Sequence, residues 1–147
     1  MRPAFAREFI LRSLLSRAQP LALVILRVAL AAILIAHGKA KIFGGMAAHK
    51  HFVASLGMPG WLGYFSAGTE FFGGILLLLG LLTRVAGLAV TVEMLVAITK
   101  VHLKNGLTGE HGYEFPMMVC VTAFALIFFG AGPISMDWLL GGGRGPK

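Results

Sequence analysis

Two acidic residues stand in the middle of long apolar runs, and this constrains the fold more than any other feature. Glu70 lies in YFSAGTEFFGGILLLLGLL and Glu93 in VAGLAVTVEMLVAITK. Only Leu82, Thr83 and Arg84 link the apolar cores of the two runs. So short a link joins antiparallel neighbours, so residues 64–100 read as a helical hairpin. A carboxylate inside such a hairpin is costly in hydrocarbon and needs a partner. The rest of the chain is read for groups that could supply one.

Composition points to lipid as the solvent. Hydrophobic residues make up 57% of the 147 residues, charged residues only 13%, and mean hydropathy is +0.83. A soluble domain carries roughly 25% charged residues. The length suits one domain. Thirteen basic against six acidic side chains give a net charge of +7. These basic residues are scattered and accompany no recognition motif, so the excess reads as the positive-inside bias of a membrane protein, not as nucleic-acid binding. Cys120 is the sole cysteine, which excludes an internal disulfide, a CxxC redox pair and a zinc cage. In its apolar run it reads as a packing residue.

The first 19 residues carry Arg2, Arg7, Arg12 and Arg17 with no clean cleavage site, so they do not read as a signal peptide. An Arg-rich organelle transit peptide is the competing reading. Phe5, Phe9, Ile10 and Leu14 fall near one helical face, which predicts an amphipathic arm on the anionic cytoplasmic leaflet. Four spans follow, over 20–37, 62–82, 85–103 and about 115–136, each near the ~20 residues that cross a bilayer core. The expected fold is therefore all-α: an integral membrane four-helix transmembrane bundle over 20–140, with an N-terminal amphipathic interfacial helix over 1–19 and a flexible glycine-rich tail over 141–147. Small residues recur four apart at Ala32 and Ala36, Gly63 and Ala67, and Gly87 and Thr91, where helices could approach closely. The loops 38–61 and 104–114 share one side. The hinge and termini side carries seven Lys and Arg (Arg2, Arg7, Arg12, Arg17, Arg84, Arg144, Lys147), against five on the long-loop side (Lys39, Lys41, Lys50, Lys100, Lys104). Both termini are expected in the cytoplasm of a bacterial inner membrane.

Helix rise places the buried polar groups at matching depth. Counting from the long-loop side at 1.5 Å per residue, Glu93 lies roughly 10 Å down, Glu70 roughly 12 Å and Arg27 roughly 15 Å. His37 and Lys41 share a face at the mouth, as do Glu93 and Lys100, and His102, Tyr113 and Glu114 join them. The expectation is one outer-half pocket with Glu70 and Glu93 as proton-handling groups. Arg27, His37, Lys41, Lys100, His102, Tyr113 and Glu114 are its expected ligand-binding residues. The bland alternative is a structural ion-pair network of Arg27 with Glu70 or Glu93. The sharper one is a ligand pocket with a proton relay, since two acids facing one arginine leave a surplus carboxylate. His37 and His102 lie too near the mouth to favour haem. His49 and His51 read as solvated loop residues, and His102 to Gly106 as a helix-ending turn. Gly73-Gly74 lacks the strand, lysine and loop of a phosphate cradle. No flavin, haem or metal site is expected.

Together the residues resemble the DoxX family of small bacterial membrane proteins over about 27–140. They are Arg27; His37-Gly38 with Lys41; Phe52 with Gly57-Met58-Pro59; Glu70 to Gly74 leading to Gly80 to Arg84; Glu93-Met94; Val101 to Leu103 with Asn105-Gly106; Gly112 to Glu114; and Gly130 to Pro133 with Ser135 and Asp137. Ile134 stands where the family usually has a second glycine. The resemblance implies a four-helix integral membrane protein. Relatives include a subunit of a thiosulfate:quinone oxidoreductase and proteins linked to oxidative-stress complexes, and no catalytic residue is carried over from them. The leading expectation is a membrane subunit of a redox system binding a quinone. Rival expectations are a non-enzymatic scaffold for a partner protein and a small proton-linked transporter. A protein partner or a homo-oligomer is expected in the bilayer, and no nucleic acid.

Overall fold

The computed structural model describes residues 3–141. The tail beyond Gly141 lies outside that description, as do the side chains before Arg12 and those of Ser13 and Leu14, and with them the expected apolar face of the arm. Every regular element among the described residues is helical. Helix α1 (Pro3–Ala40) passes through Gln19 and Pro20 without a break, so the arm and the first apolar run share one helix. It also passes His37 and Gly38, where the sequence places its end. Gly38 is used for contact: a Cβ there would sit 2.7 Å from the Cα of Phe71. The true break is a kink within Lys41–Gly45, where Phe43 leaves helical geometry and Gly44 takes φ +155°. Helix α2 (Met46–Ser55) follows, so the loop expected over 38–61 is largely helical.

The second rod is built from α3 (Leu62–Gly68), a π turn (Thr69–Gly73) and α4 (Gly74–Leu79). Gly80, at φ +64°, ends it in the left-handed region that glycine tolerates. The turn is therefore Gly80 to Leu82, slightly earlier than the expected hinge, and α5 (Thr83–Ala97) starts at Thr83. A π turn (Ile98–His102) and a 3-10 turn (Leu103–Asn105) extend α5 to Gly106, the predicted stop. Helix α6 (Glu114–Phe129) ends at Gly130, short of the expected 136, because Gly130 and Gly132 both take positive φ. Helix α7 (Met136–Leu140) then folds back on the hinge, with the Asp137 amide donating to the Gly80 carbonyl at 2.9 Å.

Leu15–Ser55, Leu62–Leu79 and Thr83–Asn105 are long and apolar enough to cross a membrane, and α6 is a shorter apolar helix. The core joins Leu30, Ala31 and Leu34 of α1 to Leu77, Val90, Ala123 and Leu126. Gly87 lets α5 approach α6, since a Cβ there would lie 2.9 Å from the Ala123 carbonyl oxygen. Two of the three small-residue pairs are buried as expected, whereas Ala32 and Ala36 face outward. Polarity is inverted relative to a soluble fold. Arg27 and Glu70 are buried while Ile25, Val85, Leu88, Phe124 and Phe128 are exposed.

Candidate functional site

A cavity of about 480 Å³ lies between α2, the α3–α4 rod and α5. Its walls are mainly apolar, and its charged lining residues are Lys41, Glu70, Glu93 and Lys100. Glu70 and Lys100 sit on π turns, where an extra residue per turn re-aims side chains and where functional groups are often found, and Lys41 stands at the kink between α1 and α2. The Lys41 Nζ lies 2.6 Å from Glu70 Oε2, joining the end of α1 to the second rod. The close contact of Gly38 with Phe71, the neighbour of Glu70, brings the two segments together. Glu93 Oε1 accepts a 2.6 Å hydrogen bond from Ser66 Oγ, which itself lies 3.1 Å from His49 Nε2. Glu93 Oε2 is buried with no hydrogen-bond partner among the described residues. Two acids thus share a cavity with one paired lysine, and a surplus carboxylate remains.

Arg27 does not join them, which corrects the expected cluster. Its buried guanidinium lies towards the hinge end, where Nη2 donates to the Ile134 carbonyl at 2.7 Å. A Cβ on Gly80 would collide with Arg27 Nη1. The depth count failed because it took His37 as the end of the span. Helix α1 runs on, and Lys41, the lysine that pairs with Glu70, is 14 residues from Arg27, roughly 21 Å along a helix. Asp137 organises the same end, accepting from the amides of Leu82 at 2.7 Å and Thr83 at 2.9 Å.

Of the mouth residues, Lys41 and Lys100 line the cavity, and His37, His102, Tyr113 and Glu114 do not. His37 Nδ1 donates to the Ile33 carbonyl at 2.8 Å and its ring stacks on Phe115. His102 Nδ1 donates to the His111 carbonyl at 2.7 Å, which Asn105 also reaches at 3.0 Å, tying down the loop before α6. Tyr113 and Glu114 begin α6. Sequence reasoning missed Ser66 and His49. Ser66 stands one helical turn before Glu70, a readable signal. His49 carried none, because its helix had the look of a loop.

Outward apolar faces and buried charge beside a mainly apolar cavity define a multi-pass membrane protein. The chain belongs to the DoxX family, whose model matches residues 22–103. It is 32% identical over 114 residues to a Bacillus subtilis protein named "Putative oxidoreductase CatD", covering 78% of this chain and 83% of that one. It is 36% identical over 74 residues to an uncharacterized protein of Haemophilus influenzae, covering 50% of this chain and 49% of the relative. No solved structure matches the chain.

Proposed function

We propose that this chain is a membrane component of a redox system that binds a quinone, or a similar apolar redox molecule, in the cavity beside Lys41, Glu70 and Glu93. One observation carries the reading: a cavity of about 480 Å³ with apolar walls ends on an ion pair and a surplus carboxylate. Small-molecule sites commonly span ~300–1,000 Å³ and combine apolar walls with a few polar groups. Phe52, Phe65 and Val92 line the cavity and are also exposed on the outer face, which favours lateral entry from lipid. A neighbouring groove shares Phe65, Thr69 and Ala89 with the cavity and extends to Val85, a path for an isoprenoid tail. Lys100 or Lys41 donates to a ligand oxygen, and Glu93 or Glu70 exchanges the proton that quinone reduction requires. Electrons come from a partner protein or from a small thiol or sulfur reductant. The name of the Bacillus relative supports a redox role.

In this proposal α1, the α3–α4 rod, α5 and α6 form a four-helix bundle in the bacterial inner membrane. Both termini are cytoplasmic, the N-terminal arm reaches the anionic leaflet, and a protein partner or second copy associates with the bundle. The test is a titration of the detergent-solubilised protein with a short-tailed quinone, followed by tryptophan quenching. Saturable binding should weaken about tenfold in Glu93→Gln, the equivalent of one charge-assisted hydrogen bond. Absence of saturable binding to the wild type would refute the reading. A stoichiometric protein partner purified without quinone would favour the scaffold instead. Arg27 lies outside the cavity and bonds the Ile134 carbonyl within the fold, which is consistent with that second reading.

A further inference from the structure

We propose that His49, Ser66 and Glu93 form a proton wire through which Glu93 exchanges its proton with solvent at the α2 end of the molecule. The wire would meet the proton demand of the chemistry proposed above and in that sense rests on it, but its geometry is independent of any ligand. Two contacts define it: His49 Nε2 to Ser66 Oγ at 3.1 Å and Ser66 Oγ to Glu93 Oε1 at 2.6 Å. The three residues come from α2, α3 and α5, so the wire crosses from a peripheral helix to the hairpin core. Gly63 makes the approach feasible. A Cβ there would lie 3.3 Å from Lys50 Cα and 3.4 Å from His49 Cδ2, tighter than ordinary contact. The imidazole also stacks on Phe52, at 6.4 Å between centroids and 25° between planes.

A hydroxyl has one proton to give and lone pairs to receive. When Ser66 donates to the Glu93 carboxylate, it accepts from a protonated His49 Nε2. When Glu93 holds the proton, it donates to Ser66, and Ser66 donates to a bare Nε2. Both polarities keep the two hydrogen bonds of the wire. Conversion from the first to the second breaks the His49 Nε2–H bond and forms a new Ser66 Oγ–H bond. The former serine proton leaves Oγ and forms the Glu93 Oε1–H bond. An imidazolium and a carboxylate become a neutral imidazole and a carboxylic acid, with no proton gained or lost. His49 is half-buried, and in this proposal its Nδ1, which makes no hydrogen bond among the described residues, is the end of the wire that trades protons with water. The charged groups around the wire are Lys41, Glu70 and Lys100, which line the same cavity, and Lys50, which contacts Tyr64 at 3.2 Å on the α2–α3 face.

Infrared difference spectroscopy after a rapid pH jump, on the full chain without quinone, tests the wire. The protonated-carboxyl band of Glu93 is assigned by its loss in Glu93→Gln. Ser66→Ala and His49→Phe should each slow the rise of that band by at least about tenfold. Ser66→Thr, which keeps the hydroxyl, should restore the wild-type rate, and His51→Phe, on the exposed face of α2, should not change it. Wild-type rates in both Ser66→Ala and His49→Phe would overturn the wire, as would a wild-type protein whose Glu93 shows no such band. His49→Phe changes only a half-buried ring on a peripheral helix, so it decides the matter if Ser66→Ala fails to fold. Slowed exchange in a protein that binds no quinone would keep the wire and remove the ligand. Saturable quinone binding with unslowed exchange would do the reverse.

Discussion

Glu70 is held by a single lysine. Its side chain is 7% exposed, while Lys41 keeps 25% of its surface in contact with the surroundings. Replacing Glu70 with Gln leaves an ammonium facing a neutral amide, and the expected loss is about 2–3 kcal/mol. This falls below the ~3–5 kcal/mol of a fully buried pair because Lys41 is partly exposed. The double replacement Lys41→Met with Glu70→Leu should recover most of that loss, since an apolar pair carries no desolvation cost. Thermal unfolding in detergent measures both, and a double variant no better than Glu70→Gln would show that the pair is not the source of the loss. Glu93→Gln should be nearly neutral by the same assay, because Ser66 Oγ can donate to an amide oxygen as it does to Oε1. The acids were legible in the sequence because each interrupts an apolar run. Their partners were legible only in part. Lys41 stood in the right place at the mouth, whereas a misjudged end of α1 moved Arg27 to the wrong depth. Ser66 and His49 lay hidden because a polar residue's partner on another helix depends on helix rotation, which spacing along one chain does not fix.

The elements meet at glycines, and two kinds of glycine must be told apart. Gly80 takes φ +64° and lies against Arg27 and Ser135, whereas Gly57 takes φ +76° with open space around it. Gly57→Ala should therefore lose only about 1 kcal/mol of backbone strain. Gly80→Ala should lose clearly more, because its Cβ also displaces the Arg27 guanidinium from its bond to Ile134. Equal melting shifts for the two variants would remove Arg27 from its place as a staple between α1 and the hinge end. Asp137→Ala should cost about 1 kcal/mol by leaving the amides of Leu82 and Thr83, at the start of α5, without their acceptor. The apolar runs revealed the helices, but their ends were less legible for a physical reason. Gly38 and Gly44 look alike in sequence, yet one serves contact and the other turns the chain. The last apolar run continues beyond Phe129, and α6 stops there at the positive φ of Gly130 and Gly132, just before Pro133.

At the scale of the whole molecule, orientation in the membrane turns on a small charge difference. The start of α1, the first turn of α5 and the C-terminal end carry seven basic residues, against five on the side of α2 and the 106–113 loop. The positive-inside bias therefore predicts that a reporter fused at Gly141 is cytoplasmic and one inserted at Gly109 periplasmic. The ion pair sharpens this margin. Lys41 is bound to Glu70, which leaves four free basic residues on the long-loop side. Arg12→Gln with Arg17→Gln lowers the seven to five, still above four, so the orientation should hold. Adding Arg84→Gln gives four against four, and a mixed population of reporters should appear. If Lys41 instead acts as a free charge during insertion, the counts in the double variant already tie at five against five, and mixing should begin there. Reporter activities in the double and triple variants thus decide whether the Lys41–Glu70 pair forms before or after the bundle takes its orientation. A uniformly periplasmic Gly141 reporter in the wild type would reverse the whole assignment and place the cavity at the cytoplasmic face.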